Sequence, residues 1–343
     1  MGPEILPQPR LLKFVKPQRE WKWEIAIYLY LAGMGAGSFI IGVFLGWFGY
    51  GLNPSKTLSL FGFSMELSRA FLLWGPLLVA IGAPFLILDL GIKRRFLYAC
   101  LNPKTSWVAR GFLILSIFIV LGLLVFALNL LAPDWTRRRT GLLLVLEFVS
   151  VLFAFSTALY TGVLLKSVRY VPVWNTAFLP LLFLVSALST GSMGIILSSM
   201  SYSLLFSGPE WVHSLIQKLI GVEQGFVFLE AVVLALYLYM RYQAKDQGET
   251  SVHLLLRGNL RLLFWGGIVG IGFIFPIVLE YLYSHTPGYP AILFVTGMSL
   301  LVGGFFLRLG VLAAGVKEQL PMHKYIEIKY QLGAVKKSAS PER

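Results

Sequence analysis

The sequence predicts an all-α integral membrane fold of eight transmembrane helices in two four-helix bundles. Three observations predict it. Of the 343 residues, 57% are hydrophobic and only 13% charged, about half the charged share of a soluble domain. Apolar runs long enough to cross a ~30 Å hydrocarbon core recur along the whole chain. Most of the 29 Lys and Arg fall on one side of that pattern, as the positive-inside rule expects of a membrane protein.

Residues 1–23 read as an N-terminal surface arm. "MGPEILPQPRLLKFVKPQREWKW" is polar and proline-rich. It has neither the apolar core of a cleavable signal nor the Ser/Thr of a myristoylation site. The first bundle, 24–165, takes spans at 24–48, 70–91, 110–131 and 142–165. The second, 176–314, takes spans at 176–199, 223–242, 260–282 and 291–314. Between the spans 176–199 and 223–242, "YSLLFSGPEWVHSLIQKLI" (202–220) carries Pro209, Glu210, His213 and Lys218, and reads as an interfacial loop or re-entrant segment. Residues 315–343 form a C-terminal tail. Trp21, Trp23, Trp47, Trp107, Trp135, Trp174 and Trp265 lie near span ends, the position of an aromatic belt. The first span gives up bulk at "AGMGAG" (32–37), where small residues let a second helix approach closely. Such a face can also form a groove for a flat ligand. "SALSTGSMG" in the fifth span is a similar face.

The net charge of +13 belongs to this sidedness rather than to nucleic-acid binding. The arm, the second, fourth and sixth connections and the tail hold most of the cations, with "IKRRF" (92–96) and "VKKSASPER" prominent. That puts both termini in the cytoplasm. One cysteine, Cys100, leaves too few thiolates for an iron–sulfur cluster. His213, His253, His285 and His323 are placed in loops or the tail, whereas a membrane haem needs histidines facing one another from within helices. The purified chain is therefore expected to be silent in the visible region. A Soret band or an iron–sulfur signal that follows the polypeptide contradicts this.

Ionisable groups inside a membrane are costly and mark function. Glu24 and Tyr28, one helical turn apart, open the first span. Asp89 lies near the end of the second, Trp107 and Arg110 open the third, and Tyr160 lies near the end of the fourth. All fall at one membrane level. Asp89 also has a plain reading as a helix-end partner of Lys93, and Tyr160 as an interfacial anchor. A second set, Glu147, Glu230, Glu280 and Arg308, sits at staggered depths. It reads either as a proton relay or as structural ion pairing.

At these residues the sequence resembles the NrfD/PsrC family of polysulfide-reductase-type integral membrane subunits. The resemblance rests on "IYLYLAGMGAGSF", "LDLGIKRRFLYACLNPKTSW", "ALYTGVLLKSVRYVPVWN" and "LPLLFLVSALSTG". It implies a cofactor-free subunit of a respiratory oxidoreductase in the cytoplasmic (inner) membrane. A quinone, menaquinone or ubiquinone, would be held in the first bundle by Trp23, Glu24, Tyr28, Asp89 and Tyr160. The implied partners are a ferredoxin-like iron–sulfur subunit and a molybdopterin-type or other catalytic subunit. The resemblance places that partner outside the cytoplasm, while the charge count places the same face inside. A rival reading of the deep charges is a secondary transporter or ion-conducting subunit. Transporters use helices broken at mid-depth, and here the helix-breaking residues lie mostly near span ends, apart from Pro84 and Pro180, which counts against it.

Overall fold

The computed structural model describes residues 21–48, 57–60, 63–66, 71–88, 104, 106–131, 141–206, 210–244, 246–285 and 290–317. Helix α1 spans Trp23–Trp47. A hairpin follows, β1 (Thr57–Leu60) with β2 (Phe63–Glu66), antiparallel with Thr57 opposite Glu66 and Leu60 opposite Phe63. A 3₁₀ turn, Phe71–Leu73, leads into α2, Trp74–Leu88. Helices α3 (Trp107–Leu131), α4 (Gly141–Lys166), α5 (Phe178–Phe206) and α6 (Glu210–Gln243) come next. The short α7 is Gln247–Leu256. A π-helical segment, Leu263–Ile274, runs directly into α8, Phe275–His285. Helix α9, Pro290–Ala313, is the last.

Seven of these helices are long and apolar enough to cross a membrane, among the described residues. They account for every predicted span except 70–91. There α2 has 15 residues, about 22 Å at the α-helical rise, and contains Pro84. The expectation of a loop at 202–220 is overturned. Tyr202–Phe206 completes α5, and Glu210–Ile220 forms the first three turns of the 34-residue α6. Residues 207–209, Pro209 among them, lie outside the described residues. Placing the histidines in loops is corrected as well. His213 lies in α6, His253 in α7 and His285 ends α8, with His213 and His285 exposed.

Helix α1 is the centre of the molecule. It packs most extensively on α2 and α5, and also on α4 and α9. Its small residues are consumed by these crossings rather than left as a groove. A Cβ on Gly37 would overlap the Ala187 carbonyl, and one on Gly191 would overlap the backbone of Gly37 and Ser38. The two small-residue faces of the sequence therefore lie on each other. On another side of α1, a Cβ on Gly35 would stand 2.7 Å from the Gly75 carbonyl oxygen of α2. Close backbone approach of this kind replaces the hydrophobic drive that lipid cannot supply. Core hydroxyls return to their own helices: Ser150 donates to Leu146 at 2.7 Å, Thr157 to Phe153 at 2.9 Å and Ser199 to Ile195 at 2.8 Å.

The π segment has a local cause. Pro276 lacks an N–H and its ring crowds the carbonyl four residues back, at Gly272. The widened turns ahead of it take up that misfit, with the Phe275 N–H reaching back to Gly270. Gly272 then meets Gly303 of α9, where an added Cβ would be 3.0 Å from the Gly303 Cα.

Trp174, expected in the aromatic belt, is a core residue instead. It is 2% exposed, donates its indole N–H to the Val311 carbonyl at 2.8 Å, and stacks on Trp21 at 5.4 Å. Nearby, the Tyr237 hydroxyl donates to the Val173 carbonyl at 2.9 Å. The connection between α4 and α5 thus ties the start of α1 to the ends of α6 and α9.

Candidate functional site

The N-terminal end of α1 gathers the first polar set. Tyr28 is fully buried, and its hydroxyl has no hydrogen-bond partner among the described residues. Oε2 of Glu24, one turn earlier on the same face, is likewise buried and unpartnered among them. The Tyr160 phenol on α4 lies within electrostatic range of Tyr28 and donates to the Trp107 carbonyl, at the first turn of α3, at 3.1 Å. Gly111, one turn into α3, makes this possible, because any Cβ there would occupy the Tyr160 ring. The Arg110 guanidinium lies over the Trp107 ring at 4.5 Å and donates to the Lys104 carbonyl at 2.7 Å. Tyr28, Tyr160 and Trp107 therefore come together, with Arg110 at their edge and Glu24 one turn from Tyr28 along α1. Trp23 is 54% exposed at the very start of α1. Asp89, the "IKRRF" block, Cys100, Trp135 and His323 lie outside the described residues.

The second set runs through α5, α6, α8 and α9. Arg308 of α9 is fully buried. It donates to the Ser186 hydroxyl of α5 and, at 3.1 Å, to the Gly304 carbonyl. Its guanidinium faces the Phe183 ring at 5.3 Å and the Tyr30 ring at 5.8 Å. Gly33 of α1 leaves the room, since a Cβ there would stand 3.3 Å from an Arg308 nitrogen. Glu230 of α6, 5% exposed, interacts electrostatically with Arg308 and with Ser186. The direct ion pair suggested by the sequence is replaced by an arrangement in which Ser186 serves both groups. Two residues on a helix are about 200° apart, so α1 turns Tyr28 toward Tyr160 and Tyr30 toward Arg308.

Glu223, which sequence reasoning missed, joins this set. It is fully buried on α6, two turns before Glu230 and coupled to it electrostatically. It faces Glu280 of α8 and accepts from Ser189 of α5 at 3.5 Å. The signal was the i, i+7 spacing of Glu223 and Glu230 within the predicted span 223–242, where Glu223 stood at the first residue instead of more than three turns into α6. Glu147 stands apart from both sets and accepts the Trp47 indole N–H at 2.8 Å. Among the described residues no group of three or more His, Cys, Asp or Glu has the arrangement of a metal site.

Membrane-length helices with ionisable side chains buried among them define a multi-pass helical membrane protein. Comparison with known proteins narrows this class. The family model described as "Polysulphide reductase, NrfD" matches residues 12–318, and the protein belongs to that family. It is 30% identical over 310 residues to the C subunit of polysulfide reductase from Wolinella succinogenes, covering 86% of this protein and 94% of that subunit. Protein NrfD of Escherichia coli K12 is 29% identical over 318 residues, covering 86% and 94%. The NrfD homolog of Haemophilus influenzae is 24% identical over 320 residues, covering 88% and 96%.

Proposed function

We propose that this protein is the membrane anchor and quinone-reacting subunit of a respiratory oxidoreductase complex in the cytoplasmic membrane. In this reading it exchanges electrons with an iron–sulfur subunit and is coupled to proton movement. The segment around α2 completes an eighth crossing, and the helices divide as α1–α4 and the remainder. The observation that carries the reading is the orphaned Tyr28 hydroxyl near the Tyr160 phenol, with a second orphaned atom, Glu24 Oε2, one turn earlier on α1. A buried polar group without a partner costs free energy, and these groups suit the oxygens of a quinone head: the Tyr28 phenol donates to a carbonyl, while the Glu24 carboxylate and the Tyr160 oxygen, whose own proton goes to the Trp107 carbonyl, accept from a quinol hydroxyl. The quinone supplies the two-electron chemistry. Tyr28 and Tyr160 orient the head, Glu24 takes or returns a proton, and Trp23 and Asp89 close the site on the membrane surface.

The chain of Glu280, Glu223, Glu230, Arg308 and Tyr30 supports proton coupling, because it carries buried ionisable groups from α8 to α1, the helix whose other side bears Tyr28. It also supports the rival reading of an ion-conducting subunit, in which turnover would not depend on Tyr28 or Tyr160. Glu147 belongs in this scheme only as a separate proton-exchanging group at the far end of α4.

Tyr28→Phe separates function from packing. The hydroxyl makes no bond to the described residues, so thermal stability of the assembled complex should hold or rise slightly. Quinol-dependent turnover should fall five- to tenfold, for a lost hydrogen bond of about 1 kcal/mol. Unchanged turnover and KM for quinol would reject the site. Tyr160→Phe should reduce turnover comparably and also cost stability, about 1 kcal/mol for its bond to Trp107.

A further inference from the structure

We propose that Glu223 and Glu280 form a dyad that holds one proton between them and loads it from the cavity between α6 and α8. Where that proton goes next rests on the route proposed above; the dyad itself does not. A cavity of about 760 Å³ opens between these helices, lined by Gln217, Gln224, Tyr281 and Ser284 as well as both carboxyl groups. The Pro276 ring lines it one turn before Glu280. Glu223 is fully buried and Glu280 is 3% exposed. Each has one oxygen satisfied: Ser189 donates to Glu223 at 3.5 Å, and Gln224 donates to Glu280 at 2.9 Å. The other oxygen of each, Oε2 of Glu223 and Oε1 of Glu280, is buried without a donor among the described residues.

The two carboxyl groups interact directly. Two acceptors in contact at low dielectric cannot both stay ionised. A single proton between them supplies the donor that both lack, and the two titrate as a pair. The further charge facing Glu223 is Glu230, which adds negative charge and opposes a second ionisation. From α8, Tyr281 and Tyr283 line the same cavity and bring no cation. A metal cation fits less well, because Gln224 turns its amide N–H₂ toward Glu280.

The test is labelling with dicyclohexylcarbodiimide, which attacks protonated carboxyl groups in apolar surroundings. It is applied to the full complex in its membrane, and adducts are located by mass spectrometry. Adducts are expected on Glu223 or Glu280, falling as the pH is raised and indifferent to sodium in place of potassium. In Glu223→Gln, labelling of Glu280 at neutral pH should fall about tenfold, because no like charge then holds the proton. Absence of adducts at both positions, or protection by sodium, overturns the proposal. So does undiminished labelling of Glu280 in the variant. The wild-type arms need no variant to fold. Unchanged quinol turnover in Tyr28→Phe with labelling intact would reject the quinone site and leave the dyad standing alone.

Discussion

Arg308→Ala should be the most damaging single change inside the membrane. The variant removes a fully buried guanidinium that holds Ser186, Gly304 and the faces of Phe183 and Tyr30. It also leaves Glu230 without its nearest positive charge. Breaking a buried charge arrangement by removing one member costs about 3–5 kcal/mol. The expected result is a large drop in assembled protein and in thermal midpoint. Adding Glu230→Gln should restore part of the loss, with a coupling of about 0.5–3 kcal/mol. Strictly additive losses in the double variant would show that Glu230 and Arg308 do not act on each other. Glu230→Gln alone should keep packing, because glutamine retains shape and hydrogen bonding, while slowing proton uptake in proteoliposomes during turnover.

Gly37→Leu should be nearly as severe, for a different reason. The backbones of α1 and α5 touch at Gly37, Ala187 and Gly191, so even the first added carbon collides with main chain, which has no rotamer to yield. Forcing atoms into a packed core costs about 1–3 kcal/mol and more when backbone must move. Gly46→Ala on the same helix is the matched control: its Cβ would meet nothing within 4 Å, and it should be close to neutral. The measurement is the yield and thermal midpoint of both variants. Equal stability of the two would mean that α1 and α5 do not cross at Gly37.

Much of this arrangement was legible in the sequence, because lipid removes most alternatives. With no water to satisfy the backbone, apolar runs must become helices, so seven spans could be read from hydropathy alone. The polar end of α1 was legible too: Glu24 and Tyr28 are one turn apart, and a helix fixes that they share a face. What sequence could not give was which helices touch. Trp174 looks like any interfacial indole until α9 brings the Val311 carbonyl beneath it. Glu210 and Lys218 read as breakers of a span, yet they lie in the first three turns of α6, near a helix end where polar residues are tolerated. Starting that span at Glu223 left the residue looking like an interfacial end group, and its contact with Glu280 needs α6 and α8 to be adjacent. The π segment was likewise invisible, since it depends on Pro276 meeting Gly272 within a continuous helix.

The central claim is that a quinone head sits at the N-terminal end of α1. Photolabelling with an azidoquinone tests it most directly. The assembled complex is irradiated in its membrane, and the adducts are mapped by mass spectrometry. The account predicts adducts within Glu24–Tyr28 of α1 and around Trp107 or Tyr160, displaced by excess native quinone and weakened in Tyr28→Phe. Adducts confined to the Glu223–Glu280 cavity, or scattered along lipid-facing positions and not displaced by native quinone, would contradict it.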